Sequence, residues 1–127
     1  MLKIAYNKIF KHELNKNHRF PMEKYDLIPE LLLKEKTCQS KNFFDPGELN
    51  YLDALRTHDT IYYKKLMTLS LTKKEIRPIG FPMSEELVLR EKKIAQGTIE
   101  CSQFSIKNGI SMNIAGGTHH AFFDRAE

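Results

Sequence analysis

No stretch of this chain approaches the roughly 18 to 20 consecutive apolar residues that a membrane-spanning helix needs. The N-terminus, MLKIAYNKIFKHELNK, carries a charge every few residues where an export signal would have an apolar centre. A membrane partner and an exported protein are therefore not expected, and a cytoplasmic location is. Cysteine is scarce: Cys38 and Cys101 lie far apart, in no paired spacing that suggests a disulfide framework, a zinc site or a redox motif, which suits a reducing compartment. A strong excess of either charge is also missing. Lys and Arg number 20 against 16 Asp and Glu, a net charge of +4. Lys64, Lys65, Lys73, Lys74, Lys92 and Lys93 are interleaved with acids, which describes a solvated exterior, and no nucleic-acid partner is expected. There is no internal repeat and no low-complexity linker. What is present, 41% hydrophobic and 28% charged residues in 127, is the composition of one globular domain spanning 1–127. A chain of this size buries somewhat under about 70% of its unfolded surface, enough for one core.

The alternating run Leu2-Lys3-Ile4-Ala5-Tyr6 predicts an N-terminal strand ending at Asn7. From Met22 onward, Tyr25, Ile28, Leu31, Leu32 and Lys36 recur at spacings of three and four, which predicts an amphipathic helix that Pro29 either kinks or opens. Phe43-Phe44-Asp45-Pro46-Gly47 signals a turn. Asn50 and Asp59 are expected to cap short helices, and Thr72-Lys73-Lys74-Glu75 matches a capping box whose helix Pro78, Gly80 and Pro82 end. The longest periodic segment starts at Ser84, an N-cap backed by Glu85 and Glu86, and stops at Asn108-Gly109. Its stripe of Leu87, Ile94, Ala95, Thr98, Ile99, Ser102 and Ile106 is rich in small residues, which predicts close packing on a sheet. Ile110 to Ile114 then reads as a strand. A helix of about 24 residues feeding an apolar strand is half of a βαβ crossover and predicts an α/β protein with a parallel sheet.

The strand runs into Ala115-Gly116-Gly117-Thr118-His119-His120. Ligands of parallel sheets sit at the carboxyl ends of strands, glycines there let the backbone turn and a ligand approach, and imidazoles exchange protons near neutral pH. Adjacent residues of an extended strand point to opposite faces, so both rings reach one substrate only from a loop. The alternative is a pair of exposed loop histidines. No HExxH and no Cys/His cluster with zinc spacing occurs.

The segment Met112-Asn113-Ile114-Ala115-Gly116-Gly117-Thr118-His119-His120-Ala121, preceded by Gly97-Thr98-Ile99 and followed by Asp124-Arg125, resembles the N-terminal half of the histone deacetylase family, class IV and bacterial members above all. His18-Arg19-Phe20-Pro21-Met22-Glu23-Lys24-Tyr25 resembles that family's N-terminal motif, and Thr57-His58-Asp59 with Tyr62 or Tyr63 its next helix start. The resemblance runs over essentially the whole chain. It implies the three-layer α/β/α arginase-deacetylase fold and a zinc-dependent amidohydrolase that removes acetyl groups from lysine or similar amines, the metal activating a water. It further implies that His119 and His120 form a catalytic dyad, with His120 as acid/base and His119 as its electrostatic partner. Arg19 would line the internal acetate channel, unless it is a surface arginine ahead of Pro21, and Gly116 and Gly117 would shape the pocket wall.

The family's Asp-x-His element, later Asp, carboxylates behind the histidines and transition-state tyrosine have no counterpart within 1–127. The expectation is therefore an N-terminal portion of a deacetylase domain, with zinc belonging to the complete enzyme and none held by this chain, and with no deacetylation by this chain alone. The alternative is a non-catalytic binding or assembly module on the same half-fold. Uncovered sheet edges and helix faces would make either one a homo-oligomer, or a partner of the missing half.

Overall fold

The computed structural model describes residues 1–127. Three strands, β1 (Lys3–Ala5), β2 (Phe43–Phe44) and β3 (Ser111–Asn113), form one parallel sheet in the order β2-β1-β3. Ile4 pairs with Phe43 on one side of β1 and with Met112 on the other. Five helices accompany it: α1 (Lys24–Lys34), α2 (Tyr51–Ala54), α3 (Thr60–Met67), α4 (Lys73–Ile76) and α5 (Glu85–Asn108). The α/β class and the parallel sheet are as the sequence pattern predicts. No helix is long and apolar enough to cross a membrane.

Local chemistry sets the helix boundaries. Asn50, Asp59, Thr72 and Ser84 each accept a backbone N–H from the residue three positions on, satisfying donors that the first turn leaves free. Thr72 and Glu75 complete a capping box. Gly80 and Gly109 end their helical segments at φ values of 71° and 85°, where a side chain would be strained.

Two predicted faces are rotated relative to expectation. On α5 the buried positions are Leu87, Arg90, Ile94, Gly97 and Cys101; Thr98 is exposed but its hydroxyl accepts from Asn113 Nδ2 of β3 at 3.2 Å, whereas Ser102 is exposed and Ile106 is 86% exposed. Gly97 lets the helix touch the sheet, since a Cβ there would lie 3.3 Å from Ala5 Cβ and 3.0 Å from Asn113 Nδ2. On α1 the buried residues are Tyr25 and Pro29, so Ile28 and Leu31 point away from the core, and Pro29 sits inside the helix. The pair Phe43-Phe44, which the turn signal obscures, is strand β2.

The main core joins Phe10, Met22, Tyr25, Tyr62, Leu71, Ile79, Phe81, Leu87, Ile94 and Ala115. It brings the first turns of α5 together with the chain that leaves β1 and β3.

Candidate functional site

From β1 the chain passes to β2 on one flank, and β3 lies on the other. Strand order reverses at β1, and parallel sheets bind ligands beyond the carboxyl ends of strands at such a point. The segment after β3 leaves from there. Ile114 N–H still donates to Ala5 carbonyl oxygen at 3.1 Å, Ala115 is fully buried, and Gly116 and Gly117 emerge at the surface. Neither glycine has a positive φ, and a Cβ on either would meet nothing within 4 Å. Their contribution is open space rather than a backbone turn that other residues cannot adopt.

His119 is half-buried and held at both ring nitrogens. Its Nε2 lies 2.6 Å from the carbonyl oxygen of Ile79, which can only accept, so Nε2 carries the proton. In the neutral ring Nδ1 then accepts from Thr118 Oγ1 at 2.9 Å. The ring also meets Phe81 edge-on at 5.0 Å. His18 makes the matching contact from the other side: Nε2–H donates to the Gly80 carbonyl at 3.1 Å, Nδ1 accepts the Phe20 N–H at 3.1 Å, and the ring lies 5.6 Å from Phe81. The histidines of two separate motifs thus grip consecutive carbonyls of the turn that ends at Gly80.

His120 is exposed, and what fixes it is its backbone. Its N–H donates to Glu127 carbonyl oxygen at 2.7 Å and its carbonyl accepts from Glu127 N–H at 3.2 Å, flanking the antiparallel bridge between Ala121 and Ala126. This hairpin is anchored on the start of α3, where His58 Nδ1–H donates to Phe122 carbonyl oxygen at 2.9 Å and Phe123 carbonyl accepts from Asp59 N–H at 2.8 Å.

Between α3, α5 and the segment after β3 lies a largely apolar cavity of about 250 Å³. Its wall includes His58, Tyr62, Met83, Leu87, Gly117, Thr118 and His119. Burial pushes the Tyr62 phenol up, reinforced by the negative charges of Glu75 and Asp124, so it stays protonated as a donor. Of the five residues singled out in the sequence, His119 and Gly117 line this cavity. His120 and Gly116 stand beside it on the exposed side of the loop, and Arg19 is exposed elsewhere.

The buried arginine is Arg90, which the apolar stripe passed over because a pattern of apolar residues treats arginine as polar. Its side chain is fully buried; Nε donates to Phe10 carbonyl oxygen at 2.7 Å, Nη1 pairs with Glu91, and the guanidinium lies over the Tyr25 ring at 5.2 Å. Its place between Leu87 and Ile94 at helical spacing is the signal that would have marked it. Another buried base, His12, keeps Nε2 without a hydrogen-bond partner.

A catalytic zinc needs three protein ligands with an open position. The chain presents no group of three His, Cys, Asp or Glu side chains able to hold a metal ion, and both ring nitrogens of His119 are engaged.

No family model matches the chain. An uncharacterized protein of Picosynechococcus sp. is 33% identical over 119 residues, covering 94% of this chain and 40% of its own length. Histone deacetylase 2 of Arabidopsis thaliana is 24% identical over 118 residues, covering 88% of this chain and 30% of its own length. The chain spans less than half the length of either relative. The second similarity is distant and partial, and gives weak support for a deacetylase-like relationship.

Proposed function

We propose that this chain supplies the histidine-bearing part of a zinc-dependent deacetylase of the three-layer arginase-deacetylase fold, acting on acetyl-lysine or a similar acetylated amine. The observation that carries this reading is the pair His119-His120 in an open, glycine-flanked loop, at the carboxyl end of a parallel strand where strand order reverses, beside a cavity. The distant similarity to a plant histone deacetylase supports it.

The hydrogen bonds favour a division of labour. His119 has both ring nitrogens engaged, Nε2–H with the Ile79 carbonyl and Nδ1 with the Thr118 hydroxyl. It orients the loop and presents a fixed dipole to the cavity. His120 is exposed and suits the acid/base role, accepting a proton from attacking water and delivering one to the departing amine. Gly117 leaves room in the wall for the acetylated side chain. The metal ligands would come from residues outside this chain, so the 127-residue polypeptide by itself does not turn over substrate. A second reading, a non-catalytic assembly module on the same half-fold, is favoured by the outward apolar face of α1.

Titration of the isotope-labelled chain with an Nε-acetyl-lysine peptide, followed by NMR, tests the first reading. Resonances of Gly117, Thr118, His119 and His120 are expected to shift more with the acetylated peptide than with its unmodified counterpart. Equal responses would overturn the proposed substrate class. Release of acetate by the chain with stoichiometric, chelator-sensitive zinc would overturn the assignment of the metal ligands to other residues.

A further inference from the structure

Helix α1 carries two apolar faces, and the fold uses one. Tyr25 and Pro29, one turn apart, are buried. At 3.6 residues per turn, Leu27 falls directly opposite them, with Leu31 one turn further along the same face and Ile28 beside it. These three are 51%, 49% and 39% exposed. A water-facing leucine needs no explanation singly, but a contiguous row on one helix marks an interaction surface.

Each end of this face carries an acid and a base, Glu23 and Lys24 at its start and Lys34 and Glu35 at its end. None of the four joins any of the ion pairs of the chain. In an antiparallel pair of helices related by a two-fold axis, Leu27 packs on Leu31 of the second copy, Glu23 meets its Lys34 on one flank and Lys24 its Glu35 on the other. The same contacts repeat on the other side of the axis. The face is complementary to itself in both apolar pattern and charge, which is what an isologous interface requires. We infer that α1 is a homodimer interface, its occupant being α1 of a second copy of this chain. One helix pair is a small interface, so the association is weak and depends on concentration.

Sedimentation velocity of the 127-residue chain over micromolar to millimolar concentrations is the test, with circular dichroism to confirm that each variant keeps its fold. A monomer–dimer equilibrium is expected. L31E should weaken it by about tenfold or more, the effect of losing roughly 1.4 kcal/mol. E23K and K34E alone should each weaken it, and the double variant E23K/K34E should restore it towards the parent value. A monomer at every concentration would overturn the inference and leave the face to an unlike partner. Self-association insensitive to L31E would also overturn it, by moving the interface elsewhere, for instance to the free edge of β3. Single charge variants that weaken the dimer without recovery in the double variant would overturn the antiparallel arrangement.

Discussion

At Gly97 an added Cβ would come within 3.0 Å of Asn113 Nδ2 and 3.3 Å of Ala5 Cβ, whereas at Gly116 and Gly117 it would meet nothing within 4 Å. The two regions adjoin, since Asn113 ends β3 and Gly116 follows shortly after, yet different forces hold them. Where α5 crosses the sheet, position is set by close packing and by Asn113 Nδ2 donating to the Ile94 carbonyl at 3.0 Å. In the histidine loop position is set by hydrogen bonds to distant backbone: His119 to Ile79, and the hairpin carbonyls to His58 and Asp59. Packing makes a scaffold that tolerates little change. Directed polar contacts over open space make a loop whose side chains stay available for chemistry.

Substitutions should separate the two regions sharply. The largest effect is expected at Arg90, where Ala leaves a cavity in the core and strands the Phe10 carbonyl; a loss of about 3–5 kcal/mol in denaturant unfolding is expected. Gly97→Val forces α5 off β1 and should cost about 1–3 kcal/mol, with Ala5 and Asn113 amides losing protection from hydrogen exchange. Ser84→Ala removes the cap of α5 and should cost about 1 kcal/mol. Gly116→Ala, made in open space at a negative φ, should stay within about 0.5 kcal/mol of the parent. A loss at Gly116 matching that at Gly97 would erase the distinction.

The smallest effect is one of pH. The Lys65 hydrogen bond, aided by the Thr72 N–H and hydroxyl, holds the Glu75 carboxyl down at about 2, well below its ordinary 4.5. A carboxylate lowered on folding contributes stability that is fully present above its unfolded value and lost as pH falls through its folded one. The window is therefore from about 4.5 down to about 2. Glu75→Gln should flatten the pH dependence of unfolding there and make the protein slightly less stable at neutral pH, where the carboxylate's contribution is fully present.

Most of the scaffold was legible in the sequence because its signals are local. The caps at Asn50, Asp59, Thr72 and Ser84 and the stop at Gly109 act within one helical turn of their own residue. Strand β2 was not legible: two phenylalanines ahead of Pro46-Gly47 carry no period, and they become a strand only by pairing with Ile4 and Ala5 far away in the chain. The rotated faces of α1 and α5 have a related cause. A periodic pattern shows that a stripe exists but not which of two stripes the tertiary fold covers. At the candidate site, the glycine-histidine loop stood out through its composition and its resemblance to a family. Its grip on Ile79 did not, since that contact joins residues 40 apart in sequence and depends on a backbone carbonyl, which has no residue code.

The measurement closest to the centre of this account is the nitrogen-15 spectrum of the histidine side chains in the 127-residue chain. The hydrogen bonds predict that His119 and His18 each hold a single tautomer, protonated at Nε2 and accepting at Nδ1, while the exposed His120 averages between tautomers. A His119 ring that averages as His120 does, or that carries its proton at Nδ1 with Nε2 free, would contradict the division between an anchored and an available histidine.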